Sequence, residues 1–215
     1  MTVLFKKSKL GHERENLPPP LRGFEHINRY VDRKTSVLNA KILPGEFYVT
    51  RGHERIVTVL GSCISACIRD TRSHVGGMNH FMLPANQLEP ADSLTLNRYG
   101  NFAMENLINE ILKNGGNRHY LEVKIFGGGK VLRQNFDVGM RNINFAKSYL
   151  DNEGLKIVAE DVAGIYPRKV VYDPITGKVK VKLLKQTRTN TLIKREEEYH
   201  KSLEVQPVEG DIELF

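Results

Sequence analysis

Residues 55–60 (RIVTVL) and 64–69 (ISACIR) are two β-branched, apolar runs separated only by Gly61-Ser62-Cys63. Val, Ile and Thr lose rotamer freedom in a helix and pack well on a pleated surface, so such runs read as strands. EFYVTR (46–51) has the same texture, and so has MNHFML (78–83), reached through a turn at Ser73-His74-Val75-Gly76-Gly77. A short helix starting at Cys63 fits the local pattern as well, so the conformation there stays open. The chain must build a sheet around a small-residue joint that carries one of its two cysteines, Cys63 and Cys67.

Helical periodicity enters further on. Phe102, Met104, Leu107, Ile108, Ile111 and Leu112 recur at three- and four-residue intervals, and Gly115-Gly116 follow as a stop. LEVKIF (121–126) reads as a strand and Gly127-Gly128-Gly129 as a break. Residues 140–152 form a second helix burying Ile143, Ala146 and Leu150, and LKIVAED (155–161) is another strand. Residues 169–172 and 178–184 flank the turn-rich Asp173-Pro174-Ile175-Thr176-Gly177 and suggest a hairpin. The expectation is one α/β domain of mixed α+β character, a mixed β-sheet core with outer helices, over residues 44–185. Residues 1–43, with the extended Leu17-Pro18-Pro19-Pro20-Leu21, read as an N-terminal extension. Residues 186–215 read as a polar tail with a short helix near Glu196-Glu197-Glu198-Tyr199. Its end, Gly210 to Phe215, either docks on a partner or covers the domain surface.

Two cysteines are too few for a disulfide framework, and no signal segment opens the chain, so a cytoplasmic protein with reduced thiols is expected. No apolar run is long enough to insert in a membrane. The net charge of +7 is concentrated early, with eleven Lys and Arg against six Asp and Glu in residues 1–55. Trp is absent and no basic run is interleaved with aromatics, which argues against nucleic acid and for a solvated basic surface or an acidic protein partner.

Cys63 and His80 are the candidates for chemistry. A cysteine attacks carbonyl carbon only as thiolate, and a neighbouring imidazole that has taken its proton is the usual partner, so a thiolate–imidazolium ion pair of Cys63 and His80 is the expected form. Gly61 and Ser62 make a small-residue turn that can expose the sulfur and turn backbone N–H groups, those of Ser62 and Cys63, toward an oxyanion. Thr58 supplies a hydroxyl that could orient the ring. The plainer reading makes Cys63 and His80 inert residues of the core. A third reading gathers Cys63, Cys67, His74 and His80 around zinc, although their spacing is unlike a zinc knuckle or finger. No metal and no cofactor is expected. Gly127-Gly128-Gly129-Lys130 lacks the remaining positions of a phosphate loop and reads as a tight bend. His12, His26, His53, His119 and His200 receive no role.

Thr58-Val59-Leu60-Gly61-Ser62-Cys63, followed by Gly76-Gly77-Met78-Asn79-His80-Phe81-Met82-Leu83-Pro84, resembles the signature of the CheD family, the chemoreceptor glutamine deamidases of bacterial chemotaxis. Phe126-Gly127-Gly128-Gly129, Asp137-Val138-Gly139 with Arg141-Asn142, and Arg168-Lys169-Val170 with Thr176-Gly177 and Val179 are similar to further landmarks of that family. The likeness runs over residues 45–184. At Ala163-Gly164 it departs, since relatives usually show two glycines. The resemblance implies a cysteine hydrolase with Cys63 as nucleophile, His80 as general base and acid, and Thr58 as third catalytic residue. It also implies a thioester intermediate, substrates in the cytoplasmic helices of methyl-accepting chemoreceptors, and pairing with a CheC-type phosphatase. A non-enzymatic adaptor would use the same partners without needing Cys63.

Overall fold

In the computed structural model the described residues are 17–84, 90–131, 137–185 and 189–205. They form ten strands, three α-helices and a single 3-10 turn at Arg118–Tyr120. The strands are β1 (Asn28–Val31), β2 (Leu38–Lys41), β3 (Phe47–Thr50), β4 (Glu54–Leu60), β5 (Ile64–Asp70), β6 (Gly76–Asn79), β7 (Leu121–Gly127), β8 (Ile157–Val162), β9 (Arg168–Tyr172) and β10 (Val179–Leu183). The helices are α1 (Pro90–Lys113), α2 (Val138–Asn152) and α3 (Thr189–Val205).

Two five-stranded mixed sheets divide the strands. The first has the order β1-β2-β4-β9-β10 and the second β3-β6-β5-β7-β8. The parallel pairs are β2 with β4 and β7 with β8, and the other neighbours run antiparallel. One core cluster joins both sheets to α1 and α2. In the second sheet Gly77 faces Leu107 of α1, while Cys67, paired with Met78, lies near Tyr172 of the first sheet. The order of layers is therefore sheet, sheet, helices, with β5 buried along nearly its whole length in the middle. A strand covered on both faces reads as a continuous apolar run, as ISACI does.

Local chemistry ends each element. Gly115, at φ +93°, closes α1, with its N–H and that of Gly116 bonded to the carbonyls of Leu112 and Ile111. Asp137 caps α2 by accepting the Met140 N–H at 2.9 Å. The β9–β10 hairpin turns at Asp173–Gly177 as the sequence suggested.

Regular structure continues on both sides of residues 44–185. Residues 28–41, expected in an extension, supply β1 and β2, and Phe24 and Ile27 enter the core. These strands escape the pattern because they are four residues long and hold charge. The Arg29 side chain is buried against the Glu54 carboxylate at 2.9 Å and also donates to the Pro18 carbonyl. Residues 189–205, expected as tail, form α3, longer than the short helix foreseen near Glu196. Residues 1–16 and the terminal Gly210–Phe215 lie outside the described residues.

Candidate active site

The connection from β4 to β5 carries the chain from the first sheet to the second, and Gly61-Ser62-Cys63 is that connection. Its carbonyls are tied back one after another. Gly129 N–H bonds the Gly61 carbonyl at 2.7 Å, the Asn142 amide bonds that of Ser62 at 2.9 Å, and Gly128 N–H bonds that of Cys63 at 2.7 Å. Asn142, buried in α2, also accepts the Leu83 N–H at 2.9 Å. With the carbonyls drawn inward, the N–H groups of Gly61 and Ser62 face the other way. Ser62 is one of the two donors expected from sequence, and the Gly61 N–H stands beside it. Gly127, at φ +112°, permits the tight approach behind the loop, where an added Cβ would come within 2.3 Å of the Cys63 carbonyl.

His80 follows β6 directly. Its backbone is fixed on both sides, N–H to the Glu46 carbonyl at 2.9 Å and carbonyl to the Gly45 N–H at 2.8 Å. Phe81 and Ile64 exchange two backbone bonds, which sets His80 diagonally across from Cys63. Thr58, inward-facing on β4, lies with Oγ1 2.8 Å from His80 Nδ1 and 2.9 Å from the Ile42 carbonyl. A hydroxyl has one proton. Since a carbonyl can only accept, Thr58 donates to Ile42 and accepts the Nδ1–H of His80. This fixes the tautomer and leaves Nε2 with its lone pair free to take a proton. Nε2 is buried and makes no hydrogen bond among the described residues.

Sequence reasoning missed a fourth residue. Glu196 of α3, wholly buried, places its carboxylate over the loop. Oε1 accepts the Gly61 N–H at 2.6 Å, and Oε2 accepts the Ser62 N–H and hydroxyl, each at 2.8 Å. A Cβ on Gly61 would lie 2.6 Å from Oε2, so glycine is needed here for close approach and not for an unusual φ. Hydrogen bonds to a charged acceptor contribute about 1.5–3 kcal/mol each, and three of them offset the several kcal/mol of burying a carboxylate. The missed signal was spacing: within the acidic run 196–198, only Glu196 shares a helical face with Leu192, Tyr199, His200 and Leu203.

The structure brings Thr58, Cys63 and His80 together. One donor atom each from Cys63, His80 and Glu196 lie within 4.8 Å of one another. Of the zinc quartet considered from sequence, Cys67 and His74 stand outside this group, His74 on an exposed turn at φ +59°. Cys67 is a buried residue of β5, and burial pushes its thiol up.

Electrostatics here favour neutral groups. Burial pushes the Cys63 thiol well above its ordinary range, and the Glu196 carboxylate adds to this as a nearby charge and a hydrogen-bond partner. His80 is lowered to about 3 by burial and then by the positive charge of Arg195. The ion pair expected from sequence is therefore disfavoured while α3 is docked, because burial and a carboxylate beside the sulfur both favour thiol over thiolate.

Comparison with known proteins places these observations in a family. A family model described as CheD chemotactic sensory transduction matches residues 82–183. A protein of Halorhodospira halophila named probable chemoreceptor glutamine deamidase CheD is 56% identical over 204 residues, covering 93% of this chain and 94% of that protein. Similarly named proteins of Hahella chejuensis and Hydrogenovibrio crunogenus are 51% and 48% identical over 92% and 88% of this chain, and over 96% and 100% of their own lengths. The family model begins just past His80, while these relatives span nearly the whole chain.

Proposed function

The chain belongs to the CheD family, and from that premise we propose that it hydrolyses glutamine side-chain amides on the cytoplasmic helices of chemoreceptors, using Cys63, His80 and Thr58. The observation that carries the reading is the Thr58–His80 bond of 2.8 Å beside Cys63, which points the basic nitrogen away from Thr58 and leaves it for the sulfur.

The steps follow from the groups present. With a substrate amide seated over Gly61 and Ser62, His80 Nε2 takes the thiol proton and Sγ attacks the amide carbon. The oxygen that becomes negative is received by the backbone N–H groups of Gly61 and Ser62, already aimed outward by the bonds behind the loop. The tetrahedral adduct collapses as His80 returns its proton to the departing nitrogen, releasing ammonia and leaving a thioester on Cys63. Water, deprotonated by His80, then adds to the thioester carbon, and glutamate leaves as the thiol is restored. Thr58 keeps the ring in the productive tautomer throughout.

Each conversion adds a negative charge to the receptor helix and changes the repulsion along it. An enzyme doing this works in the cytoplasm, where those helices lie. Among the described residues no helix is long and apolar enough to cross a membrane. The test is mass spectrometry of receptor fragments after incubation with wild type and Cys63→Ala. Glutamine-to-glutamate conversion by wild type alone is the expected result, and an adaptor would give none with either protein.

A further inference from the structure

Wild-type α3 carries a glutamate into the place where the proposed reaction makes one. Among three consecutive glutamates only Glu196 is buried, while Glu197 and Glu198 face solvent. It sits on a helix, presented from a stripe of Leu192, Tyr199, His200 and Leu203 that lies on the domain. Tyr199 packs on Gly45, the residue that holds the His80 carbonyl, and its hydroxyl bonds that of Tyr99 on α1. Cys63 and His80 are 0% and 1% exposed under this cover, so no receptor side chain reaches them while the helix stays.

The chemistry of the cradle matches a carboxylate better than an amide. Its backbone contribution is two N–H donors, one to each oxygen of Glu196, and an amide nitrogen set against either would meet donor with donor. A glutamate in that place is therefore a better resting ligand than the substrate itself.

We infer that α3 is a tethered product helix: Glu196 occupies the pocket that a receptor glutamine must enter, the surface beneath α3 is where the substrate helix docks, and the two exclude one another. This rests on the deamidase reading. The partner it specifies is a helix presenting one glutamine from a part-apolar stripe. The raised Cys63 thiol beside the Glu196 carboxylate accords with an idle state.

Full-length wild type and Glu196→Ala, followed by ammonia release against concentration of a receptor-derived helical fragment, separate the possibilities. A competitor within the chain raises apparent KM by the inverse of the open fraction and leaves kcat nearly alone, so Glu196→Ala should lower KM by about tenfold or more. An unchanged or raised KM in proteins that turn over overturns the inference and leaves the deamidase reading standing. Absence of ammonia release from every form overturns that reading, and the inference with it.

Because Ala strips an acceptor from two buried N–H groups, Glu196→Gln provides a second route that preserves shape. Its amide lies in reach of Cys63: Sγ bonds the amide carbon, ammonia leaves with a proton from His80, and water splits the thioester to restore thiol and carboxylate. Peptide mass spectrometry should find acid at position 196 in that variant, and amide when Cys63→Ala is added. Amide persisting beside a Cys63 that deamidates receptor fragments overturns the product-like placement.

Discussion

The two halves of the site are held in different ways. The Gly61–Cys63 loop is continuous with two core strands, and three successive carbonyls are bonded from behind by Gly129, Asn142 and Gly128. The covering helix α3 rests on one carboxylate, a tyrosine pair and a thin apolar stripe. Preorganisation belongs to the half that must stabilise a transition state, whose donors cannot reorganise without loss of rate. The covering half needs only enough contact to stay, and little enough to leave when a receptor helix competes.

That contrast is broken most severely at Gly61. An Ala side chain there would overlap both the carboxylate position and Val131 Cγ2, each within 2.6 Å. Gly61→Ala should therefore cut turnover of receptor fragments by about a hundredfold or more, because the methyl group would stand where the substrate oxygen must meet its donors, and should also displace α3. Steady-state kinetics with limited proteolysis of α3 would check both effects.

Removing the pin behind the loop comes next. Asn142→Ala leaves the Ser62 carbonyl and the Leu83 N–H without their partner, at a cost of about 1–3 kcal/mol for each buried group left unsatisfied. Denaturant titration should show the loss, and kcat should fall with little change in KM, since the positioning of donors and not substrate docking is disturbed.

A pH series sharpens the picture of the covered histidine. His80 in the fold titrates at about 3, below the ordinary value of about 6.5 expected when the chain is unfolded. The unfolded chain then binds a proton that the folded one refuses, so this contribution to stability is complete above about 6.5 and is lost as pH falls toward 3. The Tm of wild type should drop more steeply below neutrality than that of His80→Gln. Parallel slopes would show that the ring is not held neutral.

The smallest effect is expected behind the loop, at Ala163. It sits at φ +63°, a left-handed conformation that costs an L-residue roughly 1–2 kcal/mol, and it bonds the Gly127 carbonyl at the back of the loop. Ala163→Gly should stabilise the protein by about 0.5–1 kcal/mol in denaturant, after the added chain entropy is deducted. The backbone at this position is thus one that favours glycine.

What could be read in the sequence divides along the same line as the site. The pinned half is made of long regular elements: β4, β5, β7 and α2 follow from β-branched runs and a three-to-four-residue stripe, whereas the grouping of Cys63, His80 and Thr58 comes from the family resemblance more than from spacing. β1 and β2 escape because four residues hold no period, and because Arg29 looks solvent-bound until Glu54 is found buried beside it. Glu196 escapes because a carboxylate in an acidic run looks exposed. Its burial depends on N–H donors more than 130 residues away, which no local pattern encodes. Gly61 was valued for freedom of backbone, and the structure uses it for want of a side chain.

The most direct measurement is built into the chain by its two cysteines, both buried, one beneath α3 and one inside β5. Peptide-resolved alkylation of native protein should modify Cys63 as slowly as Cys67 in wild type, and about tenfold or more faster in Glu196→Ala with Cys67 unchanged, as expected when a thiol is freed of its cover. Equal rates for Cys63 in the two proteins would contradict a site closed by its own helix.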